Sequence, residues 1–113
     1  MVASNERSLF PGALEMMILQ TLRREPLHGY ALAQVIKRNS DDLLQVEEGS
    51  LYPALQRMLK AGWLVAEWGM SARNRQVRIY KITPQGRRQL EREVSSFQQM
   101  LDGISRAMKA VRP

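Results

Sequence analysis

Residues 48–58 read Glu48-Gly49-Ser50-Leu51-Tyr52-Pro53-Ala54-Leu55-Gln56-Arg57-Met58. Leu51, Leu55, Met58 and the following Leu59 recur at helical spacing, so one face of a helix here is apolar. Tyr52, Gln56, Arg57 and Lys60 are left on the other face. Ser50 is expected to be the N-cap, its hydroxyl accepting from the amides of the first turn. Pro53 then falls at the third helical position, where a backbone N–H would find no partner within the helix. Gly62 is expected to close the helix in a left-handed conformation.

Two helices are expected upstream. Leu14, Met17, Ile18 and Leu22 follow a helical period, which predicts a first helix over about 12–24, ended by Pro26. Leu32, Val35 and Ile36 predict a second over about 28–38, stopped by the polar run Asn39-Ser40-Asp41-Asp42. Residues 1–10 read as a polar arm ending in Leu9-Phe10. Downstream the period changes. Trp63 to Trp68 and Val77 to Ile82 are short runs rich in branched and aromatic residues, which predicts two strands. Between them Gly69 to Gln76 reads as a turn too long for a tight hairpin and loaded with arginine. Thr83-Pro84 then places a cap and a first-turn proline at the start of a last helix.

That helix carries the plainest pattern in the chain. Leu90, Val94, Phe97, Leu101, Ile104, Met108 and Val111 are spaced alternately by four and three, a heptad seam. From 84 to 111 it would be about 42 Å long, whereas a body of roughly 80 residues is nearer ~30 Å across. The seam would project into water, and a second chain is its natural cover. The alternative is a helix folded back over its own domain, with the seam as plain core. The fold expected is mainly α with a small β-hairpin: a winged helix-turn-helix plus a long C-terminal dimerisation helix. In residues, that is an arm over 1–11, a winged-helix DNA-binding domain over 12–83 and the dimerisation helix over 84–113.

The net charge of +6 on 113 residues is unevenly placed. Residues 57–88 hold eight basic side chains against one acid, Glu67, and the remainder of the chain is net −1. All the excess positive charge therefore lies in one contiguous third, which suits a polyanionic partner. No cysteine is present, which excludes disulfides and thiolate metal sites. The longest apolar stretch, Leu9 to Leu22, is too short and too interrupted to span a bilayer. The chain is read as soluble, cytoplasmic and without a membrane partner.

Leu27-His28-Gly29-Tyr30-Ala31-Leu32 resembles the start of the second helix in PadR-type regulators. Residues 48–58 resemble their recognition helix, with its Gly-Ser/Thr-Leu-Tyr-Pro-x-Leu run, and Arg78-Ile79-Tyr80-Lys81-Ile82-Thr83-Pro84-Gln85-Gly86 is similar to their second wing strand and the turn into the last helix. The single terminal helix looks like the compact subfamily. The resemblance implies a homodimeric repressor whose operator affinity falls when a small molecule binds. Some members hold flat aromatic effectors between the terminal helices, where a tryptophan helps to form the site. Here Trp63 and Trp68 both fall on the first wing strand, and the last helix offers Phe97 instead.

A winged helix presents its third helix to the major groove of double-stranded DNA. Tyr52, Gln56, Arg57 and Lys60 would face the bases and flanking phosphates, with Ser50 and Pro53 in the first turn. A glutamine can read an adenine edge, and an arginine a guanine edge or a phosphate. For Tyr52 the alternative is a ring half-packed against the wing. His28 and Tyr30 would meet the backbone from the second helix. Arg73, Asn74, Arg75 and Gln76 at the wing tip would follow the backbone or enter the minor groove. Arg78 and Lys81 lie along the wing strand, open to phosphate or solvent. The other function considered is a winged-helix module that binds proteins. No nucleophile–base set, phosphate-cradling loop or metal cluster supports an enzyme, and no cofactor is expected.

Overall fold

The structure, a computed structural model, describes residues 12–111, with side chains as far as Lys109. The expected arm and the side chain of Val111 lie outside the described residues. The order is α1 (Ala13–Arg24), β1 (Leu27–His28), α2 (Gly29–Asn39), α3 (Glu48–Lys60), β2 (Leu64–Met70), β3 (Gln76–Ile82) and α4 (Pro84–Val111).

α1 ends where Glu25 turns extended ahead of Pro26, because the proline ring disfavours the helical conformation of the residue before it. α2 stops at a tight polar turn. The Ser40 hydroxyl donates to the Lys37 carbonyl and accepts from the Leu44 N–H, each at 3.0 Å. Asp41 and Asp42 follow at φ 55° and 66°, a region that short polar side chains tolerate.

The start of α3 differs from expectation. The cap position belongs to Glu47, and Ser50 is the third residue of the helix, half-buried. The backbone supplies the closure instead, since the Glu47 carbonyl accepts from the N–H groups of Ser50 and Leu51. Pro53 consequently sits one turn deeper, opposite the Gly49 carbonyl. The far end is as expected: Gly62, at φ 81°, donates to Leu59, and the Trp63 N–H reaches the Met58 carbonyl at 3.0 Å. That pair of bonds is the Schellman closure.

The β region is larger than a hairpin. β2 and β3 pair antiparallel from Leu64↔Ile82 to Met70↔Gln76, so Gly69 and Met70 belong to the strand and the loop shrinks to Ser71–Arg75. Trp63 falls just before β2. Leu27 and His28, expected at the start of α2, form β1 against Tyr80 and Ile79, giving the order β1-β3-β2.

Between sheet and helices lies a core in which Ile18, Leu19, Leu32, Leu51, Leu55, Met58 and Leu64 are fully buried. Thr83 ties it to α4. Its hydroxyl donates to the Gly62 carbonyl at 2.7 Å and accepts from the Gly86 N–H at 3.0 Å, so one side chain caps α4 and clamps it to the end of α3. α4 first runs along α1 and then leaves the body, and the molecule reaches 60 Å in its longest dimension.

Candidate nucleic-acid interface

α3 turns its buried face, Leu51, Ala54, Leu55 and Met58, onto the core. At 100° per residue, Pro53, Gln56 and Lys60 form the ridge directly opposite, and all three are exposed. Tyr52 and Arg57 lie on its two flanks.

Each flank is held by another element. The Arg57 guanidinium donates to the carboxylate of Glu15 on α1 at 2.9 Å. It is therefore drawn to the side of the helix rather than ahead of it. Tyr52 lies on α2: a Cβ built on Gly29 would fall 2.6 Å from its Oη and 2.8 Å from Cε1. Glycine is thus what lets the ring lie flat there. The ring is thus half-packed, at 40% exposure, but against α2 rather than against the wing. Burial, then the charge of Glu48, then Tyr80 raise its pKa above the ordinary tyrosine value. The phenol stays a neutral O–H donor throughout the physiological range.

The Arg57–Glu15 pair gives a first prediction. Glu15→Gln should cost less than ~1 kcal/mol of stability, as exposed ion pairs do. It should also strengthen low-salt binding to any duplex by about two- to threefold, because it releases a cation beside the ridge. Denaturant melts and fluorescence anisotropy check the two halves separately.

The wing tip is more ordered than its composition suggests. The Ser71 hydroxyl accepts from the N–H groups of Arg73 and Arg75, and the Ser71 N–H donates to the Arg75 carbonyl at 2.8 Å. Asn74 takes the left-handed position at φ 62°. Arg73, Asn74, Arg75 and Gln76 are all exposed, Gln76 as the first residue of β3. Arg78 and Lys81 part company because three residues along a strand reverses the face. Lys81 pairs with Glu67 at 2.8 Å on one face, and Arg78 lies over the Trp68 ring on the other.

His28 is half-buried in β1, and Tyr30 is 65% exposed in the first turn of α2. Both line an open groove of about 750 Å³ between α2 and the wing tip, along with Arg38, Arg73 and Arg75. Sequence reasoning missed Arg38. Its only signal was its helical spacing from Tyr30, Ala31 and Gln34, which marks the outer face of α2. Among the described residues no three His, Asp or Glu side chains could hold a metal, and no helix is long and apolar enough to cross a membrane.

The seam of α4 divides. Leu90 is 3% exposed and Val94 packs against the same core, both within this chain. Phe97 is half-buried. Leu101, Ile104 and Met108 stand 41%, 43% and 63% exposed.

These features have counterparts in known proteins. A transcriptional regulator from Clostridium thermocellum superposes with a TM-score of 0.78 at 24% identity, over 85% of this chain and 93% of its own. A PadR family transcriptional regulator from Eggerthella lenta superposes at 0.76 with 30% identity, over 93% and 89%. Bacillus subtilis PadR, solved in complex with operator DNA, superposes at 0.63 with 21% identity, over 72% of this chain and 47% of its own. The model of the transcriptional regulator PadR-like family matches residues 18–92. The chain belongs to the PadR-like family of transcriptional regulators and carries its winged helix.

Proposed function

We propose that the protein is a dimeric repressor that reads a two-fold symmetric DNA site, with α3 in the major groove and the wing on the flanking backbone. One observation carries this reading. The Pro53-Gln56-Lys60 ridge is the exposed face of a helix whose opposite face, Leu51, Ala54, Leu55 and Met58, is locked in the core. A rigid helix with a polar front is what groove recognition needs, since base edges are read by side chains held in register. The operator complex of the Bacillus subtilis relative supports the same partner.

Gln56 then reads bases, and Lys60, Arg38, Arg73 and Arg75 neutralise phosphates. Leu101, Ile104 and Met108 meet their equivalents on a second copy, flanked by Val94 and Phe97. The two recognition helices must enter successive major grooves, so half-sites lie about one helical turn, 34–36 Å, apart.

Selection from a random duplex library tests the proposal. It should return a two-fold motif, and a pool without one overturns it. On the selected site Gln56→Ala is expected to relax preference at one base pair per half-site, costing about 1–3 kcal/mol. Arg75→Ala should weaken all sequences alike and reduce the salt slope by about one. Absence of duplex binding even at low salt would favour an acidic protein partner instead.

A further inference from the structure

Trp68 is an expensive residue to leave in water, yet it is 63% exposed on β2. Its cross-strand partner is Arg78, whose guanidinium carbon lies 5.2 Å from the ring centroid. A cation within about 6 Å of an indole face is attracted by the ring quadrupole. The pair therefore holds a long, flexible arginine in one place.

That place is on the inner face of the wing. Residues two apart along a strand share a face, so Arg78 follows Tyr80, which is buried in the core. Tyr80 in turn acts electrostatically on Tyr52 of α3. Beyond Tyr80 the same face comes to the surface at Arg78, opposite Trp68 on β2, the strand that contacts α3. Lys81 and Glu67 neutralise each other on the opposite face.

We infer that Trp68 is a positioning residue for DNA binding, holding the Arg78 guanidinium ready for a backbone phosphate beside the groove that α3 enters. The inference rests on the DNA-binding reading above and adds to it a residue that acts without touching DNA. Pre-ordering matters because a free arginine loses rotamer freedom on forming the contact, and an arginine already stacked loses less.

The test is a set of anisotropy titrations on the selected duplex across about 50–200 mM salt, with wild type, Trp68→Leu, Trp68→Phe, Arg78→Ala, Trp68→Leu/Arg78→Ala and Arg75→Ala. Circular dichroism and melting confirm that each variant is folded. Trp68→Leu is expected to lose about two- to fivefold in affinity, the size of an exposed cation–π contact, with an unchanged salt slope because the phosphate count is unchanged. Trp68→Phe should recover most of that loss, since it keeps an aromatic face. Arg78→Ala should lose more and reduce the slope by about one, and the double variant should match Arg78→Ala alone.

Wild-type affinity in Trp68→Leu, or a full extra loss on top of Arg78→Ala, overturns the inference while Arg75→Ala still reports on the wing. If Arg75→Ala and Arg78→Ala are both silent, the wing does not meet DNA and the inference falls with that reading.

Discussion

Leu101→Glu combined with Ile104→Glu is expected to turn the protein into a folded monomer and to lower its operator affinity at least about 100-fold. The two side chains lie one turn apart on the same face of α4, with Met108 a further turn on, and all three stand well exposed in the single chain. Water is a poor environment for three such residues, each worth roughly 1.5–3 kcal/mol when fully buried. In the dimer proposed above, a second copy of α4 offers the matching surface. Introducing four carboxylates per dimer into one seam replaces that gain with repulsion between like charges. The core residues Ile18, Leu55 and Met58 are untouched, so each chain should keep its helical circular dichroism.

The loss of DNA binding follows from joining two reading heads. Once the first half-site is bound, a tethered second head meets its own half-site at an effective concentration set by the linkage, which is worth about 10²–10⁴ in avidity. A monomer forfeits that factor. Sedimentation velocity should show the mass falling from twice 13.0 kDa to 13.0 kDa, and operator titration should show the matching loss. A variant that stays dimeric would place the interface elsewhere.

The second large effect is expected from a single methyl group. Gly86 lies in the first turn of α4, buried against the end of α3. A Cβ there would run into the carbonyl oxygen of Trp63 and lie 2.9 Å from Cγ1 of Ile82. The carbonyl cannot step aside cheaply, because it accepts from the Thr83 N–H at 3.0 Å. Alanine would normally help a helix by about 1 kcal/mol relative to glycine. At this position overpacking against backbone should cost about 3 kcal/mol, so Gly86→Ala is expected to destabilise the fold by about 2 kcal/mol net. Chemical denaturation at fixed protein concentration measures it. Gly103→Ala is the control: nothing lies within 4 Å of a Cβ at that position, so the propensity gain should appear unopposed.

Both expectations join something local to something distant, and the sequence was legible only on the local side. The periods of α1, α2, α3 and α4, the left-handed stop at Gly62 and the cap at Thr83 could all be read from neighbours within a few residues. Backbone sterics and helical periodicity determine them, and these act over one or two turns. The cap of α3 was misplaced because side-chain preference favours serine, whereas the boundary at Glu47 is closed by its backbone carbonyl with no capping bond from its side chain. β1 was invisible for a different reason. Two residues carry no period, and Leu27-His28 is a strand only because β3 presents an edge to it.

The chain by itself determined that the third helix would present a polar front, that positive charge would gather on the wing side and that the last helix would carry an apolar seam. Tertiary structure alone decided that Arg57 turns to Glu15, 42 residues away, and that Tyr52 lies over Gly29. It also decided that Leu90 is buried in the core while Leu101 stays exposed. These are packing outcomes, set by which surfaces meet once the core closes, and no short-range pattern encodes which surfaces those will be.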